Sequence, residues 1–193
     1  MKDNLLENLL RHVVKDSRAA SDKLIKKFGS FSDVADADIY AIADTVGGDM
    51  STALYIKLAC ALVSRRRCDA LKFGKNYKEE EIKEYLTYLF FGLSVETVYI
   101  LPVRNNKILA CEKAGEGTVN TSNVLLRRLL EIVKRHGGDS AIIAHNHPGG
   151  YAAASDDDRS ATRILREFFN SSGIKLLAHY VVAGCECEKI AVD

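Results

Sequence analysis

Two histidines one residue apart carry the clearest chemistry in this sequence. They stand in the stretch IIAHNHPGGYAAASDDD, residues 142–158, as His145 and His147. If the apolar run before them is a β-strand, side chains two residues apart point to the same side, so the two imidazoles can hold one ion. Asp158 opens a helix that Ser155 can cap, which returns the carboxylate to the mouth of the loop. Three protein ligands with a fourth position left open are the pattern of a catalytic zinc site.

Each half of this stretch also has an ordinary structural interpretation. An HxH pair alone is usually a chance occurrence, and consecutive aspartates are common at a helix N-terminus, where the helix dipole stabilises them. Here the two occur together, and Pro148, two glycines and three alanines leave the loop between them with little bulk. Such a loop is typical of a backbone that lines an accessible cleft.

The spacing resembles the JAMM (MPN+) signature of metal-dependent proteases: H-x-H-P, with seven residues between the second histidine and a serine and two more before an aspartate. The fuller string AHNHPGG, with a long hydrophobic helix before it and a helical hairpin domain upstream, resembles the RadC-like branch of bacterial proteins historically labelled DNA repair. The resemblance implies a zinc ion held by His145, His147 and Asp158, and a water activated by a glutamate. It also implies that Ser155 helps to stabilise the oxyanion of amide hydrolysis.

Some positions depart from the family pattern, although none of them is a ligand. The usual HNHPSG reads HNHPGG, with Gly149 in place of the serine, and the proline-containing segment before Ser155 reads YAAA. On the last long strand the family's Asp-His pair reads Ala-His, so we interpret His179 as a packed strand histidine. Asn146 and Asp157 are the candidates for groups that orient the imidazoles.

Three glutamates precede the histidines and are candidates for the general base. Glu96 shares a face of the first predicted strand with Val98 and Ile100, so it is an acid in an otherwise apolar row. A carboxylate in that setting has a partner or a raised pKa, and a general base gains from both. The family's catalytic glutamate also aligns with the start of this strand, so we predict Glu96, against the plain interpretation of an exposed strand-edge acid. Glu112 is the alternative; like Glu116, it lies where the second strand gives way to a glycine-rich, exposed stretch.

The elements that must position these residues divide the chain into two parts. Residues 1–68 contain residues typical of helix starts and ends and almost no strand pattern, which predicts a small all-α, helix-hairpin-helix-like domain. Residues 69–80 are polar and form the predicted linker, and residues 81–193 alternate strands with helices. In this second part Asn105-Asn106 supplies a hairpin turn, and Ser122 caps the helix before the histidine strand. We therefore expect an α/β fold in which a JAMM/MPN-like mixed sheet is flanked by helices and preceded by the helical domain.

The turn between two of the N-terminal helices resembles a helix-hairpin-helix module, which holds nucleic-acid backbones through turn amides and a helix N-terminus. The usual hairpin has two glycines around an apolar residue, whereas this turn reads VGGD, with Asp49 in the place of the second glycine. A carboxylate there repels a phosphate at close range. We expect at most weak nucleic-acid contact through this domain, with a purely structural role as the alternative. The basic run at 65–67 is typical of a solvated helix end.

Composition and charge set the broad class of the protein. The chain has 193 residues, 47% of them hydrophobic, which is enough to bury a core, so we expect a globular protein. Its net charge of +1 creates no global field toward nucleic acid or membranes. Five cysteines without a CxxC pair suit reduced thiols. Because no segment resembles a signal peptide or reaches the roughly 18 apolar residues of a membrane span, we expect a cytoplasmic protein without a membrane partner.

Two functions from different classes fit these observations. The first is a zinc-dependent hydrolase of peptide, isopeptide or related amide bonds, with Zn2+ as cofactor and an unidentified peptide or amide as substrate. The second is a DNA-associated, repair-linked binding protein whose metal site is vestigial or structural. The ligand set together with Ser155 favours the first, because a binding module has no need of an open metal position. A zinc site used only for stability is a third hypothesis.

Overall fold

The computed structural model of the chain describes residues 5–68, 73–117 and 123–191. Within these ranges an N-terminal group of helices precedes a mixed sheet with helices on both faces, so the predicted fold class is confirmed. Among the described residues, no helix combines the length and the apolar character that crossing a bilayer requires.

The N-terminal region consists of short helices and one long helix. Their bounds are α1 Leu5–Leu10, α2 Ser17–Phe28, α3 Phe31–Asp36, α4 Ile39–Thr45 and α5 Met50–Cys68. Side chains of Asp16, Ser30 and Asp38 accept hydrogen bonds from the free backbone amides at the starts of α2, α3 and α4. Such caps satisfy donors that a helix leaves unpaired in its first turn. These helices enclose an apolar cluster of their own, separate from those against the sheet.

The sheet lies in the second part of the chain. Three helices and six strands of the described residues build it: α6 Glu79–Phe90, β1 Thr97–Arg104, β2 Lys107–Ile108, β3 Glu112–Glu116, α7 Asn123–Arg135, β4 Ser140–Asn146, α8 Asp156–Ser171, β5 Lys175–Ala183 and β6 Glu186–Lys189. The order is β2-β1-β4-β5-β6, and β3 also pairs with β1. Only the neighbours β4 and β5 run parallel; the other pairs are antiparallel.

The predicted hairpin forms, but its second strand is longer and more broken than the sequence indicates. Asn105 and Asn106 adopt φ of 50° and 60°, the left-handed pair that a tight two-residue hairpin turn requires. The strand after the turn is divided into β2 and β3, and a register shift separates the β3 pairings at Val98 and Tyr99. Residues 114–116, expected in the glycine-rich exposed stretch after the second strand, belong to strand β3. The predicted helix cap Ser122 lies outside the described residues.

Strand β4 is the centre of the fold and is covered on both faces. All seven of its residues are buried. One face packs against α7 and α8 through residues such as Ile143 and Phe169, and the other packs against α6 through residues such as Ala144 and Leu86. A strand buried on both faces needs a nearly continuous apolar run, which explains SAIIA before the histidine. His145 is thereby carried into the interior.

The helical region is attached to the sheet region at the turn that follows α6. Both backbone groups of Gly92 are bound there: its N–H donates to the Asp36 carboxylate at 2.9 Å, and its carbonyl accepts from Lys57 Nζ at 3.1 Å. Gly92 has φ of 79°, in the left-handed region that favours glycine. The predicted boundary at residue 68 stays a prediction. Part of the predicted linker, residues 69–72, lies outside the described residues, and α6 begins at Glu79, before the linker's predicted end.

Candidate metal centre

The two histidines lie at the carboxyl end of β4. The backbone N–H of His147 donates to the carbonyl of Val182 on the neighbouring parallel strand at 2.8 Å, which holds the chain extended beyond the last strand residue. His145 and His147 therefore point to the same side, as their spacing predicts. Their Nε2 atoms are 3.1 Å apart. His145 is completely buried, whereas His147 is half-buried on the open side of the site.

Asp158 reaches the histidines through the cap of α8. Ser155 is the N-cap residue, and its hydroxyl oxygen accepts the backbone N–H of Asp158 at 3.1 Å. In return, Asp158 Oδ2 accepts the backbone N–H of Ser155 at 2.8 Å and its hydroxyl at 2.6 Å. This reciprocal capping fixes the side chain one turn into the helix. Oδ1 then lies 3.1 Å from His145 Nε2, and Oδ2 lies 3.4 Å from His147 Nε2.

The three side chains fit a tetrahedrally coordinated metal ion. Zinc ligands about 2.0–2.1 Å from the ion, at the corners of a tetrahedron, are about 3.3 Å from one another. The two Nε2 atoms are 3.1 Å apart, and His145 Nε2 is 3.1 Å from Oδ1 of the carboxylate, both close to that edge length. The 3.4 Å from His147 Nε2 is to the other carboxylate oxygen, Oδ2. Two imidazole nitrogens and a carboxylate are typical zinc donors. Burial raises the pKa of Asp158, but the contact with His145 and the hydrogen bonds from Ser155 outweigh it and hold the pKa well below its usual range. The carboxylate is therefore charged at neutral pH.

His179 is in contact with this site, so its interpretation as a merely packed strand histidine is wrong. Its Nε2 lies 3.0 Å from His145 Nδ1, and its Nδ1 lies 2.7 Å from the hydroxyl of Thr162. Burial, followed by the nearby His145, lowers the pKa of His179 to about 3, so the ring is neutral at pH 7. The sequence signal for Thr162 is its position four residues after Asp158, one helical turn along the same face.

Asn146 orients the segment that contains Glu96, because its side chain bonds to the backbone of that segment and not to an imidazole. Its side-chain oxygen accepts the backbone N–H of Thr97 at 2.8 Å, and its amide donates to the carbonyl of Val95 at 3.3 Å. Asp157, the other candidate for orienting the histidines, is exposed. Glu96 is half-buried immediately before β1. Val98 pairs with His145 in an antiparallel pair of strands. Glu96, two residues before Val98, and His147, two residues after His145, therefore flank the same end of the sheet.

Glu112, the alternative general base, points to the end of α7 and not to the histidines. Its carboxylate contacts Arg135 and His136 at the end of α7. The hydrogen bond with His136, opposed by burial and assisted by Arg135, lowers the pKa of Glu112. The alternative general base is therefore committed to an ion pair that fastens β3 to α7.

The loop between the ligands leaves an open cleft beside the site. Gly149 has φ of 68°, which explains how glycine replaces the family's serine without cost to the turn. His147 Nδ1 lies 3.2 Å from the carbonyl of Tyr151, which fixes the ring from the loop side. Beyond this contact lies a cavity of about 530 Å3. Its lining includes the small side chains of residues 152–154 and the acidic side chains of Glu186 and Glu188 on the edge strand β6.

In the hairpin-like turn of the helical region, a side chain of the protein binds the backbone amides that the resemblance assigns to a nucleic-acid phosphate. Gly47 and Gly48 both have φ of 85°. The carboxylate of Asp49 then accepts hydrogen bonds from the backbone N–H groups of Ser51 and Thr52 and from the Thr52 hydroxyl at 2.6 Å. These are the amides that a phosphate would use at this helix N-terminus. Nucleic-acid contact through this turn stays a prediction.

Comparison with known proteins places this arrangement in context. A sequence model of the RadC-like JAB domain matches residues 77–189. A UPF0758 protein from Chromobacterium violaceum is 31% identical over 193 residues, covering 97% of this chain and 85% of that protein. One from Vibrio atlanticus is 32% identical over 170 residues, covering 86% and 75% respectively. One from Herminiimonas arsenicoxydans is 28% identical over 165 residues, covering 83% and 73%. The matched domain contains all three side chains that converge at the end of β4.

Proposed function

Because the chain belongs to the RadC-like JAB domain family, we propose that it is a zinc-dependent hydrolase of peptide, isopeptide or related amide bonds. The family resemblance found in the sequence is confirmed. The family and the convergent His145, His147 and Asp158 together support a metal-dependent hydrolase in the broad sense. The observation that carries the finer proposal is the convergence of two imidazole nitrogens and one carboxylate at separations of 3.1 to 3.4 Å.

His145, His147 and Asp158 would hold the ion. When bound, zinc acts as a Lewis acid that makes water a stronger nucleophile at neutral pH and polarises an amide carbonyl. The interior position of His145 and the reciprocal cap of Asp158 supply rigid ligands. Half-buried His147 lies on the side from which a substrate would enter.

Glu96 is the proposed general base. It would take a proton from the attacking water and pass it to the leaving nitrogen, so that the amine departs neutral. Two features support this role: Glu96 flanks the same end of the sheet as His147, and Asn146 fixes the backbone on both sides of Glu96 through Val95 and Thr97. Glu112 lacks such support because its carboxylate pairs with α7.

Ser155 is the proposed donor to the oxygen of the tetrahedral intermediate. Its hydroxyl hydrogen is directed at Asp158 Oδ2. Because a hydroxyl has one hydrogen, Ser155 must turn that hydrogen away from Asp158 to donate to the substrate. A donor at such a position contributes on the order of 2.7 to 4 kcal/mol to transition-state stabilisation.

The first test is metal content, measured by plasma mass spectrometry on the purified full chain. Wild type should carry one zinc per chain after incubation with zinc and dialysis, and His147→Ala and Asp158→Asn should lose it. Asp157→Asn is the matched control, since Asp157 is an exposed acid one residue away on the same helix and should leave zinc bound. Absence of zinc from wild type after this treatment would overturn the proposal.

The alternative, a DNA-associated protein with a vestigial or structural metal site, has less support because Asp49 engages the turn amides. It makes an opposite prediction. DNA affinity would fall steeply with salt concentration and would not depend on zinc. Filter binding at several salt concentrations, with Asp158→Asn as the metal-deficient comparison, separates the two functions.

A further inference from the structure

We propose that Thr162 and His179 form a hydrogen-bonded relay that commits Nδ1 of His145 to donation, so that Nε2 is the nitrogen left for a metal ion. This inference rests on the proposed function for its purpose. The direction of the relay is fixed by which atom donates in each of its buried hydrogen bonds. Thr162 and His179 are positioning residues in this scheme, since neither is among the three ligand side chains.

The relay begins at the backbone carbonyl of Asp158. The hydroxyl oxygen of Thr162 lies 2.6 Å from that carbonyl oxygen. Two oxygens this close need a hydrogen between them, and a carbonyl can only accept, so the Thr162 hydroxyl donates. Its single hydrogen is then used, and the Thr162 oxygen can only accept from any other partner.

That restriction sets the tautomer of His179. Its Nδ1 lies 2.7 Å from the Thr162 oxygen and must supply the hydrogen of that bond. A neutral imidazole carries one ring hydrogen, so with Nδ1 protonated, Nε2 of His179 is an acceptor. His179 Nε2 faces His145 Nδ1 at 3.0 Å, and the hydrogen between them must therefore belong to His145.

The outcome for His145 is a fixed assignment of its two nitrogens. Nδ1 donates to His179, and Nε2 faces His147 and Asp158 at 3.1 Å from each. Reversing the relay would remove the hydrogen between Thr162 and the Asp158 carbonyl and place one on His145 Nε2, where it would block an ion. Metal-binding histidines commonly have their second nitrogen fixed by a carboxylate, a carbonyl or water. Here a second histidine does so.

Because the three side chains are buried, water does not compete for their hydrogen bonds or reverse the direction of donation. Relative exposures are 0% for His145, 1% for His179 and 2% for Thr162. The relay also forms a closed circuit, because it starts at the backbone of Asp158 and returns to the carboxylate of the same residue. A shift of the first turn of α8 would therefore move one proposed ligand and the support of another together.

His179 lies on the face of β5 that contacts Thr162 because the pairing of β4 with β5 is irregular. Ala141 pairs with Leu176, but the next residue, Ile142, pairs with Ala178, so one residue of β5 is passed over. A one-residue slip exchanges the two faces of a strand. It places His179 on the α8 side, where Thr162 lies, while Ala178 packs toward α6.

The direct test is nitrogen-15 NMR of the imidazoles in the full chain at neutral pH, which reports which ring nitrogens carry hydrogen. Nδ1 should be protonated on both His145 and His179, and Nε2 of His179 should be unprotonated. Thr162→Val, which removes the hydroxyl at nearly constant shape, should return His179 to a mixture of tautomers, whereas Thr162→Ser should preserve the wild-type pattern. A protonated Nε2 on His179 in wild type would overturn the relay.

The second readout is zinc affinity, measured by competition with a chromophoric chelator. Thr162→Val should weaken zinc binding about 10- to 100-fold, the usual effect of losing a group that orients a ligand, while Thr162→Ser stays close to wild type. His179→Gln should retain part of the affinity, because its amide offers one donor and one acceptor. Zinc binding unchanged in Thr162→Val would overturn the relay and leave the proposed hydrolase standing. If wild type bound no zinc, the hydrolase would fail, and the NMR pattern would still decide the relay.

Discussion

The side-chain oxygen of Asn146 lies 2.8 Å from the backbone nitrogen of Thr97 and accepts its N–H. Asn146 separates the two histidines, and Thr97 follows Glu96. A single buried hydrogen bond thus joins the strand end that carries the proposed ligands to the segment that carries the proposed base. The short polar side chain between the two proposed ligands therefore helps to position the segment that carries the proposed base.

Asn146→Ala should destabilise the fold while leaving the ligands in place. The substitution leaves the buried N–H of Thr97 without its partner, which costs about 1 to 3 kcal/mol of unfolding free energy. Urea denaturation of zinc-loaded protein measures this loss, and zinc stoichiometry should stay at the wild-type value. A variant as stable as wild type would show that the bond contributes no net free energy.

Glu96→Gln should abolish hydrolysis while keeping zinc bound. Removing a general base lowers the rate by roughly 100- to 10,000-fold. Glu112→Gln is the matched control, because that side chain pairs with Arg135 and His136 and should leave the rate within a few-fold of wild type. The assay is cleavage of a mixed peptide and isopeptide library by zinc-loaded enzyme, followed by mass spectrometry. Equal activity of Glu96→Gln and wild type would remove Glu96 from the mechanism.

Ser155→Ala should weaken both the fold and the metal site. Loss of an N-cap side chain costs about 1 kcal/mol, and Asp158 also loses the hydroxyl that fixes Oδ2. Ser30→Ala removes the corresponding cap of α3, away from the three proposed ligands, and serves as the control. Denaturation should register a loss in both variants, whereas calorimetric zinc titration should show weaker binding only in Ser155→Ala. Weaker zinc binding in Ser30→Ala would point to a general loss of folding instead.

The cysteines should differ in their reaction with iodoacetamide at pH 8. Burial raises the pKa of Cys60 to about 11 and that of Cys187 to about 12. Because the thiolate is the reactive form, a pKa of about 11 leaves only about 0.1% of Cys60 reactive at this pH. Exposed Cys185 should be labelled first, as peptide mapping would show, and urea should make Cys60 and Cys187 reactive too. Fast labelling of Cys60 without urea would contradict its burial in the helical region.

The sequence was sufficient for the parts of the site that local spacing determines. Two histidines at i and i+2 on a buried strand share a side, and a serine three residues before an aspartate forms a reciprocal cap, so the grouping of His145, His147 and Asp158 needs no long-range information. His179 is different. Its contact with His145 depends on the residue passed over in β5, and such an irregularity leaves no periodic pattern in the sequence. The end of strand β3, residues 114–116, was missed because its glycine and glutamate resemble a loop; pairing with β1 makes it part of the strand.

Through its attachment at Gly92, the helical region supports the segment that carries the proposed base, although none of its own residues has a proposed role in the reaction. Asp36 and Lys57 bind both backbone groups of a glycine that stands four residues before Glu96. The three proposed ligands, in contrast, come from β4 and α8 and make no use of that attachment. In the proposed mechanism, metal binding therefore depends on β4 and α8, whereas the position of the base depends also on the helical region. A shortened chain lacking α1 to α5 would keep the first property while losing the brace for the second.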